Sequence, residues 1–227
     1  MKFKYYYADT DKPFSFYSGL LEYVSANRQE RIRKLCFDRD KIMSLFSELV
    51  MRSEISQSCS IGFKEIKFSF GQYGKLYLSG FDNYHFSLSN AGNLIVFVQD
   101  GYPVGIDAEP VKTADMEIAE HYFTADEYEY IIKSNDRNNA FYEIWTAKEA
   151  YLKMLGSGLS VSLNSFSVLS ENIRENLMSV KLGDYYVSVC TEKMCLQKLE
   201  AEKQFVGFTK KVAKTHSKKS FTDCKSL

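Results

Sequence analysis

Five short strand-like segments crowd into residues 65–109, and no other feature of the sequence limits the fold as strongly. In chain order they read EIKFSF, KLYLS, YHFSLS, NLIVFVQ and PVGIDAE. Brief runs of alternating or continuous apolar residues, separated by Gly, Asn and Asp, are typical of strands. The Asp100-Gly101 pair lies between the last two segments and predicts that they form a hairpin. Together the segments predict antiparallel sheet in the middle of the chain.

Helical patterns lie on both sides of these strands. A strand at residues 3–8 and a polar helix from about Ser25 come first, and apolar residues then recur with helical spacing from near Asp40. After Pro110 we predict three helices, in ADMEIAEHYF, TADEYEYIIKS and FYEIWTAKEAYLKML. Thr124 and Glu127 have the spacing of a capping box. The later predicted strands are FSVLS, VKLGDYYVSVCTE and KQFVGFT.

This order of elements predicts an α+β fold made of two lobes, because the progression from strand to helices to further strands occurs twice. We place an N-terminal α+β lobe at residues 1–103 and a C-terminal α+β lobe at residues 104–209. The lobes should pack tightly, since no Pro/Gly/Ser-rich linker separates them. Residues 210–227 hold six Lys and one Asp and are predicted to form a basic, disordered tail.

The composition indicates a cytoplasmic protein that binds neither nucleic acid nor membrane. Its formal net charge is zero, and no run approaches the roughly 18 apolar residues of a membrane span. Five cysteines without a CxxC pair favour free thiols in a reducing compartment. Three histidines lack the spacing of a zinc site.

Two acids stand at the end of the last strand of the group. In VGIDAEP a period of two puts Asp107 and Glu109 on one face of the strand. Their apolar neighbours face the core, and Pro110 ends the strand because it has no N–H for the ladder. Two interpretations remain open for this segment alone: carboxylates aimed at one cation, or the solvated acidic face of an edge strand.

A third acid lies in FYEIWTAKEAYLKML. On a helix, Glu149 shares a face with Trp145 and Lys153, four residues away on either side. It either forms a surface pair with Lys153 or converges with Asp107 and Glu109. Three crowded carboxylates repel one another unless a divalent cation binds among them. An all-oxygen ligand set suits Mg²⁺, or Mn²⁺, in contact with a diphosphate substrate.

Such a substrate would need positive charges and polar contacts around it. Each candidate cation would otherwise be a solvated surface charge, and each small polar residue would otherwise be a turn former. The candidates are Arg28, Arg31, Lys75, Ser89, Asn90, Lys148 and Lys153.

The two acid-bearing segments together resemble the signature pair of the 4′-phosphopantetheinyl transferases, (V/I)G(I/V)D followed by (F/W)xxKE(A/S)xxK. Here VGIDAEP precedes WTAKEAYLK by about forty residues. Either half alone is a weak pattern, whereas both in this order and at this spacing are specific. The resemblance extends from SANRQER to SFSVL, and it is strongest to the monomeric, double-length type that activates peptide synthetases.

The resemblance implies two similar α+β lobes related by a pseudo-twofold axis, with coenzyme A in the cleft between them. It implies transfer of 4′-phosphopantetheine from coenzyme A to a serine of an apo acyl or peptidyl carrier protein, with release of adenosine 3′,5′-bisphosphate. Asp107, Glu109 and Glu149 would hold Mg²⁺, and Glu149 would also accept the proton of the carrier serine. Lys153 would stabilise charge on the pyrophosphate.

The resemblance also assigns supporting and binding roles to further residues. Trp145 and Glu127 would support the site. The implied contacts to coenzyme A are Arg28, Arg31, Ser44, Lys75, Ser89, Asn90, Lys148 and Lys153.

The chain departs from the family pattern at four positions, three of them among the implied coenzyme A contacts and one next to Lys75. Asn90 stands where the family usually has the His that meets the 3′-phosphate, and it cannot become cationic. Leu76 stands at a frequent Pro position, and Arg28 and Arg31 stand where Lys is common. The three acids are retained. A non-catalytic module that binds coenzyme A or a carrier protein is the alternative to an enzyme.

Overall fold

The computed structural model describes residues 1–193, and its mixture of helices and antiparallel strands confirms the predicted α+β class. The first half contains β1 (Lys2–Tyr7), α1 (Ala26–Lys34), α2 (Asp38–Cys59), β2 (Phe68–Phe70), β3 (Leu76–Leu78), β4 (His85–Ala91) and β5 (Leu94–Asp100). The second half contains β6 (Val104–Pro110), α3 (Met116–Tyr122), α4 (Ala125–Lys133), α5 (Arg137–Leu155), α6 (Glu171–Arg174), β7 (Leu177–Leu182) and β8 (Tyr185–Thr191). The predicted strand KQFVGFT and the predicted tail lie outside the described residues.

Local capping residues explain where several helices begin and end. The Ser25 side chain accepts a hydrogen bond from the backbone N of Arg28 at the start of α1 (3.2 Å). The predicted capping box of α4 is present, with the backbone N of Thr124 donating to Glu127 (2.9 Å). α5 ends at Gly156, whose φ of 69° is the left-handed conformation that glycine adopts at low cost.

Two antiparallel three-stranded sheets have the same construction, with strand orders β1-β5-β4 and β6-β8-β7, and β2 and β3 form a separate two-stranded ribbon. In each three-stranded sheet the central strand is the last one of its half in sequence, β5 or β8. It pairs on one side with the first strand of that half, β1 or β6, and on the other with the strand just before it, β4 or β7. A long helix, α2 or α5, follows each first strand. The shared order agrees with two similar lobes, while the twofold axis and the lobe limits stay predictions.

The cores arrange the chain in helix, sheet, sheet and helix layers. Leu45 and Phe46 of α2 pack in one cluster with Phe97 of β5. The opposite face of β5 shares a second cluster with the other sheet, in which Val96 packs with Ile106. α5 packs on the remaining face of the second sheet. Asp107 and Glu109 therefore point toward α5, since they alternate with the buried apolar residues of β6.

The Asp100-Gly101 turn does not close a hairpin, so that prediction was wrong. β5 pairs with β1 on one side and with β4 on the other, and all seven of its residues are buried. Because both edges of β5 are occupied, the chain leaves the first sheet here and β6 pairs with β8 instead. The hairpin in this region joins β4 to β5 through Gly92, which has a φ of 59°, and Asn93.

The segment FSVLS, residues 166–170, forms turns and contains no strand, so that prediction was also wrong. Side chains from α4 and α5 form hydrogen bonds with the backbone groups of this segment. Lys148 donates to the carbonyl oxygen of Phe166 (2.7 Å), and Glu127 accepts from the backbone N of Val168 (2.8 Å). Backbone groups satisfied by side chains do not need a neighbouring strand.

Among the helices that the structure describes, none combines the length and the apolar character needed to cross a membrane.

Candidate active site

The strand and the helix that carry the acids approach each other at Gly105. A Cβ added to this glycine would lie 2.0 Å from the carbonyl oxygen of Ala150 and 2.4 Å from the backbone N of Met154. Only glycine therefore permits this separation between β6 and α5. Asp107 follows two residues later on the same face of the strand, beside the turn of α5 that carries Lys153.

Asp107, Lys153 and Ser89 form the centre of the site. The Lys153 Nζ lies 2.6 Å from Oδ1 of Asp107 and donates to the Ser89 Oγ at 3.1 Å. The Ser89 hydroxyl donates to the same oxygen of Asp107 at 2.9 Å. Asp107 is only 4% exposed, so hydrogen bonds from Lys153 and Ser89 replace the water that its Oδ1 atom loses on burial. The structure thus brings together residues from β4, β6 and α5 as the sequence predicted.

Glu109 and Glu149 complete a group of three carboxylates. Burial, followed by repulsion from Asp107, raises the pKa of Glu109 to about 7, and Glu149 adds to the repulsion. Burial and repulsion from Asp107 also raise the pKa of Glu149. Lys153 opposes both shifts. The three acids are therefore close enough to disfavour one another's ionised forms.

This donor set fits a hard divalent cation. Within residues 1–193 the Oδ2 atom of Asp107 is buried without a hydrogen-bond partner, and a cation would satisfy it. Carboxylate oxygens are the ligands that Mg²⁺ prefers, and a cation would relieve the repulsion among the acids. Across the same residues, no three His, Cys, Asp or Glu side chains are arranged to hold a metal as they stand. In this arrangement Lys153 provides the positive charge at Asp107.

A chain of three hydroxyls, of which those of Thr146 and Ser188 are buried, lies between α5 and the second sheet, and the sequence does not predict it. Thr146 donates to the carbonyl oxygen of Tyr142 (2.8 Å), so its Oγ1 accepts from Ser188 (2.7 Å), which in turn lies 2.7 Å from the Ser179 Oγ. Ser188 is the residue opposite Asp107 in the β6–β8 pairing. Its proton is therefore committed to α5. Small hydroxyl residues at separate positions give no sequence signal of such a chain.

Arg28 and Ser44 come together on the first half, as their joint assignment to coenzyme A requires. Arg28 donates to the Ser44 Oγ (3.3 Å) and to Glu48 (3.1 Å). Glu48 is buried and also pairs with Arg52 (2.8 Å). Hydrogen bonds from Ser25 and from both arginines lower the pKa of Glu48, although its burial, the largest influence, acts in the opposite direction. Glu48 thus holds Arg28 in place while the Arg28 side chain stays 20% exposed.

Asn90 lies at an exposed position of β4 and is tied to α2. Its side-chain N donates to the Ser47 Oγ at 2.9 Å, and Ser47 donates its own proton to the carbonyl oxygen of Met43 (2.7 Å). The Asn90 amide is therefore held against the helix that carries Ser44. Arg31 is exposed on α1. The roles of Asn90 and Arg31 toward a nucleotide stay predictions.

Lys148 is in the protein interior, where the sequence had predicted a phosphate contact. It is fully buried, and its Nζ lies 2.7 Å from each of three acceptors, the Glu127 carboxylate and the carbonyl oxygens of Leu163 and Phe166. Its pKa is lowered by burial, against the opposing effect of Glu127. The structure therefore gives Lys148 a structural role in holding Glu127 and residues 163–166 together, and the supporting role of Glu127 toward the site stays a prediction.

Trp145 and Lys75 both contact other parts of the protein. Trp145 stacks on Phe141, with ring centroids 5.9 Å apart, and its supporting role toward the site stays a prediction. Lys75 donates to the carbonyl oxygen of Met154 at 2.6 Å, at the end of α5. This ammonium contacts the protein backbone, whereas the sequence predicted a contact to coenzyme A.

A separate open cavity of about 550 Å³ is lined by Tyr77, Tyr84 and His85, among others. It contains none of the three acids, and the chemistry of the site therefore lies outside it.

Comparison of the sequence with family models gives two matches that together span both halves. A model described as the 4′-phosphopantetheinyl transferase superfamily matches residues 103–206. A model described as 4′-phosphopantetheinyl transferase, N-terminal, matches residues 12–101.

Curated proteins with similar sequences carry the same description. The chain is 34% identical over 170 residues to the 4′-phosphopantetheinyl transferase ffp of Bacillus subtilis, covering 74% of this chain and 75% of that protein. It is 30% identical over 178 residues to the 4′-phosphopantetheinyl transferase Sfp of Bacillus subtilis strain 168, covering 77% of this chain and 79% of that protein.

Among solved structures, the crystal structure of the Thermotoga maritima holo-[acyl-carrier-protein] synthase matches with a TM-score of 0.34 and 21% identity. The match covers 39% of this chain and 61% of that one.

Proposed function

Since the chain belongs to the 4′-phosphopantetheinyl transferase superfamily, we propose that it transfers 4′-phosphopantetheine from coenzyme A to a serine hydroxyl of an apo acyl or peptidyl carrier protein. Adenosine 3′,5′-bisphosphate is the second product. The observation that carries the proposal is the meeting of Asp107, Lys153 and Ser89 beside two further acids. A binding module would have no need to gather mutually repelling carboxylates around one partly exposed lysine.

The three acids are the groups that would hold a magnesium ion, namely Asp107, Glu109 and Glu149. When bound, Mg²⁺ would neutralise charge on the pyrophosphate oxygens and withdraw electrons from the phosphorus that is attacked. The unpartnered Oδ2 of Asp107 supports this assignment.

Glu149 is the proton acceptor in this scheme. The carrier serine oxygen bonds to the β-phosphorus of coenzyme A, the bond from that phosphorus to the bridging oxygen breaks, and the serine proton passes to Glu149 directly or through water. The nucleotide leaves with the bonding electrons. Burial and Asp107 raise the pKa of Glu149 in the metal-free protein. Mg²⁺ on the same carboxylate would reduce its basicity, so Glu149 would act as a base through its position beside the serine.

Lys153 stabilises the leaving group. Its ammonium is fixed by Asp107 and Ser89, so it needs no reorganisation when negative charge builds up on the departing phosphate. Arg28 and Ser44, with Asn90 nearby on β4, would bind the nucleotide phosphates from the first half. Both halves therefore contribute to one cleft.

Intact-protein mass spectrometry tests the proposal directly. Purified protein, coenzyme A, Mg²⁺ and an apo carrier protein should give a carrier heavier by one phosphopantetheine, and EDTA should abolish the gain. A protein that binds coenzyme A yet modifies no carrier of the fatty-acid, polyketide or peptide class would instead be a binding module.

We further propose that the protein acts as a monomer in the cytoplasm. Two halves in one chain supply both sides of the cleft, which supports a monomeric site. Cys36, Cys59 and Cys190 are free thiols, which supports a reducing compartment.

A further inference from the structure

Lys75 sits on the turn between β2 and β3, yet its bonds go to the second half of the molecule. Its Nζ donates to the carbonyl oxygen of Met154 at 2.6 Å and lies 3.4 Å from the carbonyl oxygen of Val104. Met154 is the neighbour of Lys153 on α5, and Val104 begins the strand that carries Asp107. One side chain therefore contacts both segments that build the candidate site.

The Met154 carbonyl is one of the acceptors that an α-helix leaves without an internal donor at its C-terminus. An ammonium there satisfies the carbonyl and interacts favourably with the negative end of the helix dipole. The next turn is shaped to receive the side chain, because a Cβ at Gly156 would lie 2.8 Å from Cδ of Lys75. Glycine at position 156 is therefore favoured twice: it adopts the left-handed conformation that ends α5, and it leaves room for the Lys75 side chain.

The hydrogen-bond acceptors of the Lys75 ammonium are two backbone carbonyl oxygens, those of Met154 and Val104. Burial lowers the pKa of Lys75 to about 8, while Cys190 and Glu192 act in the opposite direction. Placing the ammonium here costs solvation free energy, which the two carbonyls, the helix end and the more distant Glu192 offset in part. The contact ties the ribbon to both segments of the candidate site.

We propose that Lys75 is a positioning residue that, from the first half, fixes the last turn of α5 against the start of β6 and so sets the separation of Lys153 from Asp107. This inference rests on the proposed transferase function for its catalytic consequence, but its structural content does not.

Three variants of the full-length protein test it. Lys75→Met keeps most of the aliphatic chain and removes the ammonium, Lys75→Arg restores a donor cation, and Lys67→Met is the matched control. Lys67 is exposed and lies just before β2, so its loss removes the same charge from the same ribbon without touching α5.

The kinetic expectation follows from geometry. In Lys75→Met, kcat should fall about tenfold to a hundredfold, because a small misplacement of a reacting group has an effect of that size. The KM for coenzyme A should change less than about twofold, and Lys75→Arg should recover part of kcat. A KM rise of about tenfold at unchanged kcat would overturn the proposal in favour of a direct substrate contact.

Hydrogen–deuterium exchange separates this inference from the proposed function. In the substrate-free protein, the amides of residues 152–156 should exchange faster in Lys75→Met than in the wild type, and at the wild-type rate in Lys67→Met. If the wild-type protein transfers no phosphopantetheine and residues 152–156 still exchange faster in Lys75→Met, the positioning contact is supported and the transferase function is rejected. Unchanged exchange in folded Lys75→Met would reject the positioning contact whatever the activity.

Discussion

Lys153 and Asp107 meet across the interface of α5 and β6, with the ammonium 2.6 Å from one carboxylate oxygen while the other oxygen is buried and has no partner within residues 1–193. One half of the Asp107 carboxylate is thus neutralised by the protein and the other half is available. A divalent cation could therefore bind Asp107 through Oδ2 without displacing Lys153.

Glu149→Gln should lower kcat at least about a hundredfold, because it removes a general base. The folded protein should be no less stable, since burial and Asp107 already disfavour the Glu149 charge. Steady-state transfer to a carrier protein and thermal unfolding measure the two effects. Glu120→Gln, at an exposed acid on α3, is the control. Turnover like that of the wild type would remove Glu149 from the mechanism.

Lys148→Met should lower the free energy of unfolding by about 3–5 kcal/mol, because it leaves the Glu127 charge buried without its partner. The double variant Glu127→Gln/Lys148→Met should lose less than the sum of the single losses, as measured by urea unfolding. The exposed pair Lys133 and Glu129 is the matched control, and its loss should cost only a few tenths of a kcal/mol.

The same Lys148 variant distinguishes a structural lysine from a phosphate ligand. We expect the KM for coenzyme A to stay within about twofold of the wild type wherever the variant is folded. A tenfold increase at full folding would restore the phosphate contact that the sequence predicted.

Gly105→Ala should destabilise the protein by about 3 kcal/mol or more, because the added methyl group would meet the backbone of α5, which cannot move aside as a flexible side chain can. Gly19→Ala is the control, since a Cβ at Gly19 meets no atom within 4 Å. Chemical unfolding of both variants gives the comparison. Equal stability would mean that β6 and α5 are farther apart than the structure places them.

Asn90→His should tighten coenzyme A binding by roughly fivefold, about 1 kcal/mol, because a cationic ring can pair with the 3′-phosphate where a neutral amide cannot. Binding of dephospho-coenzyme A, which lacks that phosphate, should not change. Calorimetric titration of both ligands measures the effect, with Asn83→His at an exposed turn as control. Equal tightening for both ligands would show that Asn90 does not face the 3′-phosphate.

The stability of the wild type relative to Lys75→Met should increase as the pH rises from about 8 towards 10.5, because the folded pKa of Lys75 is about 8 against an ordinary 10.5. Between these values the unfolded chain binds the larger share of the proton, so removing protons favours the folded state. Urea unfolding of both proteins across this range gives the difference, in which the titration of other groups cancels. Parallel pH profiles would contradict the buried ammonium.

The sequence was enough to predict on which faces of β6 and α5 the acids and Lys153 lie. It was not enough to predict what packs around them. The period of two in β6 and the four-residue spacing in α5 depend only on local geometry, so they placed Asp107 and Lys153 on the correct faces. Whether Lys148 meets solvent depends on residues 163–166 folding over α5, which is a long-range contact without a local signal. The failed hairpin at Asp100-Gly101 has a similar cause, because local turn chemistry could not reveal that β1 and β4 already occupy both edges of β5.

The repeated strand order has a consequence for how sequence change is distributed over the molecule. Both halves share one topology, but β1 carries no acid, so only the second half holds the three carboxylates. Arg28, Arg31, Ser44 and Asn90, which are proposed to bind the nucleotide, all lie in the first half. A substitution at an acid of the second half therefore changes a group proposed to react, whereas a substitution at Arg28 or Asn90 in the first half changes a group proposed only to bind the nucleotide.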